Sequence, residues 1–157
     1  MVAPCPRPYT GSFVIPCFHL TSHGFEIVLP AIQAASLWQA LRQRGVKVDV
    51  KVPEIRLSPA NELLLLRVSR EALRNVDAHA RASLVTITMT KSGNAVKLLI
   101  TDNGVGFDKE MAESQRQVGH LGLQLLRDLS EDMGAVLVVD STPGSGTTVH
   151  LGLEENR

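Results

Sequence analysis

The stretch that decides the fold follows a run of alternating apolar residues and reads Asp102-Asn103-Gly104-Val105-Gly106-Phe107-Asp108. An aspartate at a strand end can accept a hydrogen bond from the exocyclic amino group of adenine, whereas guanine presents a carbonyl there. Gly104 and Gly106 permit positive φ angles and let the backbone approach a ring or a phosphate closely. A glycine- and aspartate-rich turn after a strand has the same composition. The position of this stretch favours nucleotide binding over a plain turn.

A stripe of polar residues lies on the predicted helix upstream of that stretch. Glu71, Asn75 and His79 are spaced four apart, so their side chains share one helical face. Carboxylate and amide oxygens are ligands that Mg²⁺ prefers, together with water and phosphate oxygens. The stripe therefore predicts a metal site, although a plain solvated helix face shows the same spacing.

A glycine-containing segment opens the third predicted helix, Gly119-His120-Leu121-Gly122-Leu123. Free backbone amides at a helix N-terminus bind anions, and glycines let a phosphate chain approach. The segment is also compatible with an ordinary helix start, in which His120 caps the helix and does not contact phosphate. Thr147 begins the last predicted strand. Its hydroxyl could contact Asp102, directly or through a water; alternatively, the segment is an ordinary turn in which Thr147 has no role in binding.

The periodicity between these motifs predicts helices alternating with hairpins. Helices are expected at 30–44, from Pro59 after the N-cap Ser58 to about Ala80, and at 120–133. Strands are expected at 46–51, 84–90, 95–101, 135–140 and 147–153. Because most strands neighbour their partners in sequence, we expect an α+β two-layer sandwich, with helices packed on one face of a mixed sheet.

Composition narrows the function classes. Lys+Arg and Asp+Glu both number 16 in 157 residues, and this balance argues against a nucleic-acid partner. Cys5 and Cys17 form no metal-binding pattern, and we expect them to be reduced. Neither a signal peptide nor an apolar stretch of about 18 residues is evident, which predicts a cytoplasmic location without membrane contact. Any membrane anchor of a parent protein would lie outside this sequence.

The first 29 residues differ in character from the rest. They hold four of the eight prolines and show no helical or strand period. We expect residues 1–29 to be extended and partly disordered, or to come from cloning, and residues 30–157 to form one domain.

Together, the four motifs resemble the N, G1, G2 and G3 boxes of the gyrase/histidine-kinase/MutL ATPase superfamily. The boxes correspond in order to residues 71–75, 102–107, 119–123 and 144–147. Within the superfamily, the sequence is most similar to the catalytic domains of nitrate-sensor-like histidine kinases of two-component systems. Glu71 at the head of the N box, the short loop 108–118 and the sequence GHLGLQ at 119–124 carry this finer resemblance.

The resemblance implies a Bergerat fold that holds Mg²⁺ and ATP between the N-box helix and a mobile lid. Asn75 would bind the metal, Glu71 would assist with the metal or a water, and both are the expected catalytic residues. The expected nucleotide-binding residues are Asn75, His79, Asp102, Gly104, Gly106, His120, Leu121, Gly122, Leu123 and Thr147. The implied partners are a dimerisation domain bearing the acceptor histidine and a response regulator with a helix-turn-helix output domain.

Two departures from the family pattern leave alternatives open. Ala78 stands where many relatives have a basic residue that helps hold phosphate. The acceptor motif is also missing, because His19 and His23 are followed by Leu20 and Gly24 and not by an acidic residue. The competing hypotheses are an anti-sigma-factor serine kinase and a degenerate nucleotide-binding module without kinase activity.

Overall fold

The computed structural model describes residues 36–108 and 118–155. Residues 1–35, among them Cys5, Cys17, His19 and His23, lie outside the described part, as do residues 109–117 of the loop between the G1 and G2 boxes. The expectations for those segments are therefore still predictions. Among the described helices, none is long and apolar enough to cross a membrane.

The first described helix, α1 (Ser36–Gln43), and strand β1 (Lys47–Lys51) lie within the predicted ranges, and residues 30–35 of the predicted helix lie outside the described part. Gly45 adopts a φ of 81° directly after the helix, the left-handed conformation that glycine provides at helix ends. Leu41 of α1 is fully buried in the core, which fixes the helix against the sheet.

Helix α2 (Pro59–Asn75) begins as the sequence predicts. The hydroxyl of Ser58 accepts the N–H of Asn61 at 3.4 Å, and Pro59 occupies the first helical turn. The five residues Val76–Ala80 continue the helix in π-helical form, a widening that the sequence did not predict. Arg81 then turns the chain with a φ of 50°. The last turn therefore keeps the predicted position but has a different backbone geometry.

The remaining described elements are β2 (Leu84–Ser92), β3 (Ala95–Asp102), helix α3 (Val118–Asp132), β4 (Val136–Thr142) and β5 (Gly146–Glu154). The described strands form one mixed sheet in the order β1-β2-β3-β5-β4. Strand β1 pairs with β2 in parallel, and the other pairs are antiparallel. In the register of β3 with β5, Asp102 is opposite Thr147, so two of the predicted site residues meet at one end of the sheet.

The helices cover one face of the sheet, and the core lies between these two layers. Alternate residues of the inner strands are buried there, for example Ile87, Leu98 and Leu151, against Leu65 and Val68 of α2. No described element covers the opposite face, on which Leu99 and Val138 are exposed. The predicted α+β two-layer sandwich is confirmed.

Candidate functional site

A cavity of about 530 Å³ opens where the end of α2 and the π-helical turn meet the sheet and α3. Six of the predicted site residues line it: Asn75, His79, Asp102, Gly106, Leu123 and Thr147. Apolar side chains, including Ile100, Phe107 and Val149, form much of the remaining wall. A largely apolar cavity with a few convergent polar groups is typical of small-molecule sites.

Asp102 is the buried polar group of this cavity, with only 6% of its surface exposed. The N–H of Gly104 donates to its Oδ1 at 2.7 Å, an interaction typical of aspartate followed by a turn. Burial raises the pKa of the Asp102 carboxyl, and hydrogen bonds from the backbone of Gly104 and Thr147 partly oppose this rise. A buried acceptor at the end of a strand is thus presented to the cavity.

Thr147 meets Asp102 through its backbone, as the strand register and the hydrogen bond to the carboxylate show. The Thr147 hydroxyl lies 3.0 Å from the hydroxyl of Ser141 on β4. Both Thr147 and Asp102 line the cavity. The predicted contact from the Thr147 hydroxyl to Asp102, directly or through a water, stays a prediction.

The loop after Asp102 packs tightly against two other segments. A Cβ atom on Gly104 would overlap the backbone of Ala80, and one on Gly106 would overlap the carbonyl of Thr142. Gly106 also has a φ of 60°, which disfavours other residues. These glycines therefore permit close approach of the loop to the π-helical turn and to the β4–β5 turn, in addition to any approach to a ligand.

Two of the three residues of the predicted polar stripe line the cavity, and the third, Glu71, does not. Asn75 and His79 line the cavity, on either side of the junction between α2 and the π-helical turn. Glu71 sits further back, with 15% of its side chain exposed, and accepts a hydrogen bond from Arg74 at 2.8 Å. A Cβ atom on Gly122 would overlap the Glu71 carboxylate, so the first residue of the N box contacts the G2 segment directly.

The G2 segment is described in part. Leu123 is buried and lines the cavity, and Gly122 lies at the Glu71 carboxylate. The side chains of His120 and Leu121 lie outside the described part of the structure. Their assignment to the nucleotide site remains a prediction.

The oxygen donors near the cavity suit a hard divalent cation. Asn75 lines the wall, and Glu71 lies one helical turn before it on α2. Mg²⁺ commonly takes one or two protein oxygens and completes its coordination with water and phosphate oxygens. Among the described residues, no group of three or more histidines, cysteines and acidic residues is placed to hold a metal alone. This donor set fits a metal that arrives with a phosphate ligand.

Three residues near the site escaped the sequence-based prediction. Ser141 accepts the N–H of Phe107 at 2.9 Å and donates to the carbonyl of Gly146 at 3.1 Å. Asn103 accepts the N–H groups of Ser83 and Leu84 through Oδ1, both at 2.9 Å, and so fixes the strand end that carries Asp102. Arg74 lines the cavity beside Asn75. Asn103 and Arg74 had a usable signal, because each stands beside a predicted site residue within a box, whereas Ser141 had none.

Residues 60–157 match the family of histidine kinase-, DNA gyrase B-, and HSP90-like ATPases. The matched segment contains every predicted site residue and all the elements that line the cavity. The chain belongs to this family. It is therefore an ATP-binding domain of the kind found in sensor histidine kinases.

Its relatives include two nitrate/nitrite sensor proteins of Escherichia coli (strain K12). The chain is 34% identical to NarX over 105 residues, which are 66% of this chain and 17% of NarX. It is 29% identical to NarQ over 131 residues, which are 76% of this chain and 22% of NarQ. The chain thus spans about a fifth of the length of these relatives, and the similarity supports the predicted nitrate-sensor-like subclass.

Solved structures of histidine kinase domains share the fold. The histidine kinase domain of the blue-light activated histidine kinase from Erythrobacter litoralis EL346 is similar with a TM-score of 0.62 at 22% sequence identity. The similarity covers 76% of this chain and 57% of that one. It confirms the arrangement of sheet and helices.

Proposed function

We propose that this domain binds Mg-ATP in the cavity and donates the γ-phosphate to a histidine on a separate dimerisation domain, from which it passes to a response regulator with a helix-turn-helix output. The observation that carries the proposal is the buried Asp102 in a cavity also lined by Asn75 and His79, in a chain of the histidine-kinase ATPase family. The expected location is cytoplasmic, within a parent protein that is itself membrane-anchored or soluble.

The adenine ring would occupy the apolar part of the cavity next to Asp102. The carboxylate offers acceptors only, and the exocyclic amino group of adenine is a donor. Guanine would place a carbonyl oxygen against the carboxylate, leaving two acceptors face to face without a proton. The cost of an unsatisfied buried polar group makes this a selective contact for ATP over GTP.

The phosphate end would lie toward Asn75 and His79. Asn75 would hold Mg²⁺ through its amide oxygen, and Glu71 would assist with the metal or orient a water. The bound metal would neutralise charge on the phosphate oxygens. Phosphoryl transfer depends mainly on positioning and charge neutralisation, so the residues of the domain act by holding the donor in place.

The histidines of this chain support an acceptor on another module. The chain has five, and the two with described side chains lie in the cavity wall, His79, and within β5, His150. Neither position resembles an exposed acceptor on a helical hairpin. Transfer would therefore take place between this domain and a histidine that approaches the cavity from outside.

The decisive experiment mixes the chain with Mg²⁺, ATP labelled at the γ-phosphate and a dimerisation domain of a nitrate-sensor-type kinase. Acid-labile label on the acceptor histidine is the expected result. Asn75→Ala should abolish transfer, whereas Asn94→Ala, at an exposed hairpin position, should leave it unchanged. Acid-stable label on a serine of an anti-anti-sigma factor would identify a serine kinase instead.

A degenerate nucleotide-binding module is the second candidate. Ala78 lines the cavity and brings no charge to the position where many related kinases carry a basic residue. ATP binding without phosphotransfer to any acceptor histidine would favour this alternative.

A further inference from the structure

Arg74 faces the cavity from the last turn of α2, and although it lies within the N box, no role was predicted for it. It lines the cavity together with its neighbour Asn75, and 55% of its side chain remains accessible. Its Nη2 atom lies 2.8 Å from Oε1 of Glu71, three residues earlier on the same helix. The guanidinium is therefore accessible to a ligand, and its ion pair with Glu71 holds it in position.

The charges of the cavity wall identify what Arg74 can do there. Among the described residues that line the cavity, Arg74 is the only lysine or arginine, while Asp102 is acidic. Ala78, four residues after Arg74 and so on the same side of the helix, also lines the cavity and carries no charge. Arg74 is therefore the permanent positive charge that the described cavity wall offers to a polyphosphate ligand.

We propose that Arg74 is a phosphate-binding residue of this domain and contacts the polyphosphate of the bound nucleotide. The proposal rests on ATP being the ligand of the cavity and adds a residue that determines affinity for its charged end. Arginine presents five N–H donors in a planar fork that matches phosphate oxygens. The hydrogen bond to Glu71 leaves most of these donors free for phosphate.

Glu71 is suited to hold the guanidinium in position. Its side chain is largely covered, and its carboxylate abuts Gly122, so it offers a fixed acceptor. The Glu71 carboxylate alone would repel an approaching phosphate. The positive charge of Arg74 beside it reduces this repulsion. Holding the long arginine side chain before the ligand arrives reduces the entropy lost on binding.

The test compares affinities of the full chain for ATP and for adenosine, in Mg²⁺ buffer, by titration calorimetry or by competition. Arg74→Ala should weaken ATP binding about tenfold, the lower end expected for a charge-assisted contact because the group is half exposed. Adenosine binding should not change. Arg74→Lys should restore part of the ATP affinity, since it keeps the charge and loses the fork.

Arg67→Ala is the matched control, because Arg67 is exposed on the same helix and lies outside the cavity wall. It should leave both affinities unchanged. A second measurement uses salt: ATP affinity should fall more steeply with ionic strength in the wild type than in Arg74→Ala.

Three results would overturn the proposal. They are equal ATP affinity in the wild type and Arg74→Ala, equal weakening of ATP and adenosine, and identical salt dependence in the two proteins. Failure of the wild type to bind ATP at all would instead overturn the proposed function. The two failures are therefore distinguished within one set of titrations.

Discussion

The backbone carbonyl of Ala80 accepts the N–H of Val105 at 2.8 Å, which ties the π-helical turn to the loop that follows Asp102. Val105 in turn accepts the N–H of Gly144 at 2.7 Å, so the β4–β5 turn joins the same chain of contacts. Three segments distant in sequence are thus held in register around the cavity. The widened π-helical backbone lies at this junction, where such irregularities frequently accompany functional sites.

Gly104→Ala should disrupt this junction. The added methyl would overlap the carbonyl and Cβ of Ala80, and a backbone group yields less readily than a side chain. We expect a loss of about 2–3 kcal/mol in the free energy of unfolding, as for overpacking of an interior. Denaturant titration would measure it. Gly152→Ala is the control, because a Cβ atom at Gly152 meets nothing within 4 Å. Equal stability of the two variants would contradict the close packing at Gly104.

Asp102 should decide nucleotide selectivity. ATP, but not GTP, is expected to raise the melting temperature of the wild type, because ligand binding to the native state stabilises it. Asp102→Ala should remove this effect. Asp102→Asn should narrow the preference for ATP over GTP, since an amide can also donate to the guanine carbonyl. Asp132→Ala, at an exposed position on α3, should behave as the wild type. Equal stabilisation of the wild type by both nucleotides would refute the adenine contact.

The raised pKa of Asp102 predicts a specific pH dependence of stability. Burial is the main cause of the shift above 3.8, so the native state holds the proton of Asp102 more strongly than the unfolded chain. The associated stability is fully present below the unfolded pKa and is lost as pH rises through the folded pKa. Relative to Asp102→Asn, the wild type should therefore lose stability as the pH rises from below 3.8 through the raised pKa of Asp102. Thermal unfolding of both proteins across this range measures the difference; a constant difference would contradict the shift.

Gly122→Ala should separate stability from activity. The methyl would displace the carboxylate of Glu71, the flexible end of a side chain, and alanine favours a helix over glycine by up to about 1 kcal/mol. We expect an unchanged or higher melting temperature with reduced phosphotransfer, because Glu71 and its partner Arg74 are moved. The label-transfer assay and a melting curve on the same preparation check both. Unchanged transfer would show that the position of Glu71 is unimportant.

Local patterns predicted most of the fold, because strand alternation and helix caps are encoded by near neighbours. The start of α2 and the hairpin β2–β3 illustrate this, since Ser58 and Gly93 carry their own signals. The pairing of β3 with β5 joins segments separated by α3, and no local pattern specifies it. The π-helical turn, Val76–Ala80, is too short for its period to be distinguished from that of an α-helix.

The candidate site was predictable where the family motif names a residue and its spacing. Asp102, Asn75 and His79 were placed in this way, and the structure brings them to one cavity. Ser141 was not, because its role depends on the approach of the Phe107 backbone, which only the folded chain shows. The pairing of Arg74 with Glu71 has the ordinary spacing of a surface ion pair, and its cavity position distinguishes it only in the structure.

Ser141→Ala should loosen the wall of the cavity. The hydroxyl accepts the N–H of Phe107 and donates to the carbonyl of Gly146, so its removal leaves two part-buried backbone groups without this partner. We expect a loss of about 1–2 kcal/mol in the free energy of unfolding. Because Phe107 lines the cavity, ATP affinity should also fall, which titration calorimetry would measure. Ser145→Ala, in the exposed β4–β5 turn, serves as the control and should change neither quantity. If Ser141→Ala unfolds like that control and binds ATP equally well, the hydroxyl does not hold the Phe107 backbone in place.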